Sequence, residues 1–170
     1  MDLLTFTRKY EDDFDRMFAV EELADQALIA DIAKRDSYWE VREAAVKKLT
    51  DQRLLLDVVL NSTSCVSEFT EEDLRDRIVI QAARKLTDHA PIQSILYAIA
   101  SNSENDEEMR KEAINMLSDT SLLLKISNAD KKEYSHSYEG NYGGYDGEYY
   151  SYTVDLREIA RERLGELQRG

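Results

Sequence analysis

The sequence predicts an all-α fold in which short helix pairs stack on one another, and three observations predict it. Only six of the 170 residues are Gly and one is Pro, whereas sheet proteins need frequent turn residues. Apolar residues recur at helical spacing along most of the chain. A short pattern of an Asp followed by apolar residues at helical spacing also occurs four times, as is typical of repeat proteins.

Each repeat begins with an Asp that precedes an amphipathic helix, here called helix A. The four residues are Asp25, Asp51, Asp88 and Asp119. An Asp at this position accepts hydrogen bonds from the first backbone N–H groups of the helix. Apolar residues follow the Asp at spacings that share one helix face, so we expect that face to be buried. The expected core residues of the A helices include Leu28, Leu55, Ile95 and Leu123.

A second helix, here called helix B, closes each repeat. Its pattern places a large apolar residue first, Ala fifth and Leu ninth. The small Ala permits a neighbouring helix to approach closely, and the large residues fill the space around it. The fifth-position residues are Ala45, Ala82, Ala113 and Ala160. Because a lone helix pair cannot cover its own apolar faces, the pairs must stack.

The segment from Asp36 to Arg42 resembles the turn and second helix of HEAT-like repeats, including those of the phycobilin-lyase type. The resemblance covers about residues 23–168. It implies a short right-handed α-solenoid of about four helix pairs. It also implies a ladder in which a turn Asp and a helix B Arg connect neighbouring repeats. Val79 occupies the Arg position of the second repeat, so we expect the ladder to be interrupted there. The ladder residues are then Asp36, Arg42, Arg110 and Arg157.

We expect a single domain over residues 1–170. Residues 1–22 should form an N-terminal capping helix that packs its aromatic stripe into the core, and the rival interpretation of that stripe is a ligand site. The stripe consists of Phe6, Tyr10, Phe14, Met17 and Phe18. The four repeats span 23–49, 50–87, 88–117 and 118–168, and an insertion occupies 129–152.

Seven of the ten Tyr residues and four of the six Gly residues lie in this last insertion. Tyrosines alternate with other residues on both sides of a Gly-rich centre, which is compatible with a small β-hairpin, a compact loop or disorder. Tyrosine suits contact surfaces because its large face loses little rotamer entropy. We expect either a partner-binding element or tyrosines that pack back onto the last helices. The candidate residues are Tyr138, Tyr142, Tyr145, Tyr149, Tyr150 and Tyr152.

The formal net charge of -13 repels a phosphate backbone, so we expect no nucleic-acid partner. The B-helix segments nevertheless contain more basic than acidic residues. They could form a mildly basic groove for an acidic or phosphorylated peptide, or their charges could pair along each helix. The candidate groove residues are Lys47, Arg84, Lys111 and Arg161.

The single cysteine, Cys65, cannot form an intramolecular disulfide. The first residues lack the basic region and apolar run of a signal peptide, and no apolar run approaches the length of a membrane span. These features favour a cytoplasmic location without membrane association. The two histidines and Cys65 lack the spacing of metal ligands, and phosphate-loop and nucleophile motifs are missing. We therefore expect no catalytic residue, cofactor or metal.

These features together favour a non-catalytic protein–protein interaction module or scaffold that binds another protein or a peptide. The alternative is a HEAT-like enzyme or enzyme helper, similar to DNA glycosylases or phycobilin lyases. The sequence leaves the oligomeric state open.

Overall fold

The computed structural model describes residues 1–63, 74–129, 135–140 and 150–169. These residues are mostly helical, which confirms the all-α prediction. The helices are α1 (Leu3–Lys9), α2 (Asp13–Glu22), α3 (Gln26–Arg35), α4 (Trp39–Lys48), α5 (Gln52–Asn61), α6 (Arg75–Arg84), α7 (Gln93–Ser101), α8 (Glu107–Met116), α9 (Thr120–Asn128) and α10 (Leu156–Arg169). A 3-10 helix spans Ala90–Ile92. None of the described helices is long and apolar enough to cross a membrane.

Two short strands precede α10. Strand β1 (Ser135–Gly140) pairs antiparallel with β2 (Tyr150–Asp155). In this register, Ser135 lies opposite Asp155 and Gly140 lies opposite Tyr150. The pairing overlaps the insertion for which the sequence left a hairpin, a loop and disorder open.

The chain divides into two compact units, Met1–Ile92 and Gln93–Gly170. In the first unit, α3 packs against α1 and α5, while α4 packs against α2 and α6. A helices therefore contact A helices, and B helices contact B helices. In the second unit, α7 packs against α8, and α10 packs against both α8 and α9.

The A helices begin as their sequence predicts. The carboxylate of Asp25 accepts hydrogen bonds from the Ala27 and Leu28 N–H groups, and Asp51 and Asp119 cap α5 and α9 in the same way. The Asp88 carboxylate accepts from the Ala90 N–H. The expected core positions are filled: Leu28, Leu55 and Leu123 are buried, Ile95 is half-buried, and the four helix B alanines are fully buried.

The expected N-terminal capping helix is wrong, because residues 1–22 form two helices. The Asp12 carboxylate caps α2 by accepting from the Phe14 and Asp15 N–H groups. Helix α2 then turns Arg16 and Val20 into the core, which leaves Phe14 and Phe18 each 62% exposed. Only Phe6 of the aromatic stripe is fully buried, while Tyr10 and Met17 are half-buried.

The register of α2 follows from its place in the repeat. Arg16 precedes Arg42 by the same spacing that separates Asp25 from Asp51. Helix α2 therefore corresponds to a helix B, and the Arg at the repeat spacing faces inwards instead of the exposed phenylalanines. Together α1 and α2 make a shorter helix pair ahead of the first predicted repeat.

Candidate protein-binding surface

A buried ion pair fixes α2 against the turn that follows α3. Arg16 Nε lies 3.1 Å from Asp36 Oδ2, and Arg16 Nη2 lies 3.3 Å from Asp36 Oδ1. The Asp36 side chain is completely buried and that of Arg16 nearly so. Arg16 Nη1 also donates to the carbonyl oxygens of Tyr10 and Glu11, at 3.2 and 2.8 Å. The two hydrogen bonds between these side chains form an Asp–Arg ion pair that connects successive helix pairs.

Arg42 makes different contacts from those the resemblance implies. Its Nε donates to the backbone carbonyl of Asp36 at 2.5 Å, and its Nη1 donates to the Thr63 carbonyl at 2.7 Å. Arg42 thus connects the end of α3 with the end of α5 through backbone acceptors. The carboxylate of Asp36 is paired instead with Arg16, a residue that the sequence analysis missed although its spacing from Arg42 pointed to it.

Arginines also bind the carboxyl ends of A helices in later repeats. The donor–acceptor pairs are Arg75 Nε–Ser62 O (3.0 Å), Arg110 Nε–Ala100 O (3.0 Å) and Arg157 Nη1–Ala129 O (3.4 Å). Carbonyl groups at a helix end carry partial negative charge, so a guanidinium stabilises them. Arg75 supplies this contact in the repeat where Val79 occupies the expected Arg position. Arg42, Arg110 and Arg157 therefore hold the fold together.

Glutamines form a second set of connections between repeats. Gln26 Oε1 accepts from the Thr50 N–H at 2.9 Å, and Gln52 Oε1 accepts from the Thr87 N–H at 2.9 Å. Gln93 Oε1 accepts from the Ser118 N–H at 2.7 Å. Each Gln lies in the first turn of an A helix. It binds a backbone N–H just before the Asp that begins the next repeat. The recurrent Asp-Gln dipeptide signals this role for Gln26 and Gln52, whereas Gln93 follows Ile92 and has no such signal.

Lys34 and Asp57 form an ion pair between α3 and α5, with Nζ 2.5 Å from Oδ2. Burial opposes the charged form of Lys34, but its contacts with Asp57 and Asp31 outweigh this and raise its pKa. The hydrogen bond from Lys34 is the largest influence on Asp57 and lowers its pKa. This pair therefore ties two A helices together.

A cleft of about 400 Å³ opens between α2 and α4. Helix α2 lines it with Met17 and Glu21. Helix α4 contributes side chains spaced three, four and seven residues apart, which lie on one helix face. These α4 residues are Glu40, Glu43, Ala44 and Lys47, and Lys48 completes the lining. The cleft therefore lies on the B-helix layer of the first unit.

Most polar groups in this cleft already have partners. Lys47 Nζ lies 3.1 Å from Glu43 Oε2, and Lys48 Nζ donates to the Glu21 carbonyl. Gln81 Nε2 donates to Glu43 Oε1 at 2.9 Å. Glu40 Oε2 differs, since it is buried and accepts no hydrogen bond within the described part of the chain. A buried carboxylate oxygen without a donor is costly, so the Glu40 carboxylate gains free energy if it turns into the cleft and meets a donor there.

The exposed phenylalanines lie on the side of α2 that lines the cleft. Phe14 lies three residues before Met17, and Phe18 lies three residues before Glu21, so all four side chains share one side of α2. Phe14 and Phe18 are themselves four residues apart and form adjacent exposed rings. We call Phe14, Met17 and Phe18 together with the cleft the α2–α4 surface. Adjacent exposed apolar groups with a polar surround are typical of interaction sites.

Of the predicted groove residues, Lys47 and Lys111 pair with carboxylates on their own helices, whereas Arg161 binds the end of α9. Lys47 pairs with Glu43, and Lys111 Nζ lies 3.2 Å from Glu108 Oε2. Arg161 Nη2 donates to the Ser127 carbonyl at 2.9 Å. Arg84 is exposed. Lys47 and Arg84 belong to the first unit, and Lys111 and Arg161 belong to the second.

The tyrosine candidates fall largely outside what the structure describes. Tyr142, Tyr145 and Tyr149 lie in the undescribed range 141–149, and Cys65 lies in the undescribed range 64–73. Backbone pairing places Tyr138 opposite Tyr152, and Tyr150 opposite Gly140. The side chains of Tyr138, Tyr150 and Tyr152 are likewise outside the description.

Among the described ranges, no group of three or more His, Cys, Asp or Glu side chains is arranged to hold a metal ion. Comparisons with protein-family models, with curated proteins and with solved structures each find no match.

Proposed function

We propose that the chain is a non-catalytic module that binds another protein through the α2–α4 surface. The observation that carries the proposal is the exposure of Phe14 and Phe18, 62% each, on one side of a helix that lines a cleft. Burial of apolar area contributes about 25 cal/mol per Å², so covering two phenyl rings favours association. Aromatic side chains in such positions often dominate binding free energies.

The wider proposal is that the helix pairs belong to a right-handed HEAT-like solenoid. Its support is local: Asp caps, Gln connections and Arg contacts to helix ends recur in each unit. The Tyr-rich insertion, residues 129–152, is proposed as a second contact region, supported by its composition. We place this activity in the cytoplasm, which the single cysteine favours.

Affinity capture from a native lysate tests the proposal with three forms of the full chain. The Phe14→Ser/Phe18→Ser variant removes both exposed rings, and Leu60→Ser/Leu124→Ser is the matched control because those leucines are 46% and 49% exposed elsewhere. We expect the wild type and the leucine control to capture the same partner and the phenylalanine variant to lose it. A partner that the phenylalanine variant captures equally well would contradict the proposal.

A further inference from the structure

The charges around the phenylalanines identify the chemistry of the partner. Resting on the proposed function, we infer that the α2–α4 surface binds a basic amphipathic helix of another protein. The only basic residue of α2, Arg16, is buried against Asp36. The remaining charged residues of α2 are all acidic: Asp13, Asp15, Glu21 and Glu22. The exposed charged side chains that α2 itself places near the two phenyl rings are thus all acidic.

The positions of these carboxylates match a partner with flanking cations. Glu21 and Glu22 follow Phe18 by three and four residues, so they lie beside its ring on the helix surface. Asp15 precedes Phe18 by three residues and lies on the same side. Lys or Arg side chains next to the apolar residues of a partner would complement this arrangement, whereas acidic side chains would be repelled.

Within the cleft, Glu40 adds a specific acceptor. Its Oε2 atom is buried and has no hydrogen-bond partner in the described residues, while the nearby Lys47 and Lys48 are bound to Glu43 and to the Glu21 carbonyl. A partner Lys or Arg that enters the cleft supplies a donor once the Glu40 carboxylate turns towards it. Such a charge-assisted hydrogen bond is stronger than one between neutral groups.

The apolar spacing favours a helical partner. Phe14, Met17 and Phe18 recur at three- and four-residue intervals along α2. An amphipathic helix presents apolar residues at the same intervals, and it can therefore lie along α2 with its anchors against these side chains. The occupant is thus a helix with an apolar stripe and Lys or Arg on both flanks.

Fluorescence anisotropy with labelled peptides of about 20 residues tests this inference, a length that gives an amphipathic helix of about 30 Å. The first peptide has Leu at helical spacing flanked by Lys and Arg. The second keeps the Leu positions and carries Glu instead. The third peptide has the composition of the first in a scrambled order that lacks an apolar stripe. Its binding measures the non-specific electrostatic attraction between a basic peptide and the acidic chain.

We expect the full chain to bind the first peptide at least about tenfold more tightly than the other two. The Phe14→Ser/Phe18→Ser variant, whose charge is unchanged, should lose at least about tenfold in affinity, and Leu60→Ser/Leu124→Ser should lose none. Glu40→Gln should weaken binding severalfold, whereas Glu162→Gln, an exposed control in α10, should not. Higher salt should weaken the interaction, because exposed charges are screened.

Equal binding of the basic and scrambled peptides would overturn the inference. Phe-dependent binding of the acidic peptide would also overturn it, yet would leave the proposed function intact. Self-association of the wild type that Phe14→Ser/Phe18→Ser abolishes, measured by sedimentation velocity, would show that a second copy occupies the surface and would overturn it as well. The proposed function itself fails only if lysate capture is unaffected by the loss of both phenylalanines.

Discussion

At the scale of single residues, buried charge determines which side of α2 faces the core. Arg16 donates two hydrogen bonds to the Asp36 carboxylate and two more to the backbone carbonyls of Tyr10 and Glu11. A buried Arg or Asp without its partner is costly. The ion pair therefore determines which side of α2 faces the core. The exposure of Phe14 and Phe18 is a direct consequence of that orientation.

The Arg16–Asp36 pair gives a stability prediction. Asp36→Ala should lower the free energy of unfolding by about 3–5 kcal/mol, because it strands the Arg16 guanidinium in the core. The double variant Arg16→Met/Asp36→Leu should cost clearly less than the two single changes added together. Urea unfolding followed by circular dichroism measures both quantities, with Glu162→Ala as a surface control. Additive costs would contradict coupling of the two residues.

The Lys34–Asp57 pair predicts a pH dependence. The folded state holds the pKa of Asp57 below its ordinary value of 3.8, chiefly through the hydrogen bond from Lys34. The pair therefore stabilises the fold above the unfolded pKa, and the stabilisation is lost as the pH falls through the folded pKa. We expect the stability difference between wild type and Asp57→Asn to shrink on acidification from neutral pH. In a Lys34→Met background the Asp57→Asn change should have little pH dependence, and an undiminished dependence would argue against the pair.

At the scale of helices, the sequence predicts how A helices start and which B-helix residues are buried. Asp25, Asp51 and Asp119 cap their helices, and alanines such as Ala45 are fully buried. These features are local, so spacing along the chain is sufficient to find them. The exposure of Phe14 and Phe18 differs from the prediction because an aromatic stripe at helical spacing usually indicates core. Here a tertiary contact, Arg16 with Asp36, decided the orientation.

The candidate site was less accessible from the sequence than the fold. An exposed phenylalanine and a buried one look alike in a hydropathy pattern, so Phe14 and Phe18 were assigned to the core. The cleft depends on how α2 and α4 lie side by side, and no short motif encodes that distance. Gln26 and Gln52 were visible as a repeated dipeptide, but the groups that they bind lie one repeat away.

The glutamine connections make a prediction at this scale. Gln52→Ala should lower the free energy of unfolding by about 0.5–1.5 kcal/mol, because its exposed hydrogen bonds with the Thr87 N–H and the Lys85 carbonyl are lost. Gln168→Ala, an exposed residue of α10, is the matched control and should change stability by less than about 0.5 kcal/mol. Chemical denaturation measures both. Equal effects of the two substitutions would remove the role assigned to Gln52.

A buried leucine of helix α5 gives the second stability prediction at the scale of helices. Leu55 is fully buried in α5, so Leu55→Ala should cost about 2–5 kcal/mol through lost burial and the cavity left behind. Its neighbour on the exposed side of α5, Leu60, is 46% exposed, and Leu60→Ala should cost much less. Thermal and urea unfolding compare the two variants. A cost near zero for Leu55→Ala would show that the α5 register is wrong.

At the scale of the whole molecule, the helical framework and the proposed binding regions are separable. The α2–α4 surface is built on helices whose orientation depends on buried contacts such as Arg16–Asp36, whereas Phe14 and Phe18 contribute little to the core. Changes to the exposed rings should therefore alter binding and leave folding almost unchanged. This separation makes the proposed function testable without destabilising the protein.

The Tyr-rich insertion gives a prediction at the same scale. Deleting residues 133–150 should preserve the helical circular dichroism signal, since the deleted range contains none of the helices that the structure describes. If the insertion contributes to recognition, the deletion should also abolish partner capture. Capture that is unchanged by the deletion would remove the insertion from the binding account and would leave the α2–α4 surface as the proposed site.

Amide hydrogen exchange of the full chain, with and without the captured partner, tests the central claim most directly. Binding at the α2–α4 surface should slow exchange in Asp13–Glu22 and Trp39–Lys48, because a bound partner limits opening of these helices and their access to water. The A helix Gln52–Asn61, which does not line the cleft, should change little. Slowing confined to other helices, such as Leu156–Arg169, with Asp13–Glu22 unaffected, would contradict the account.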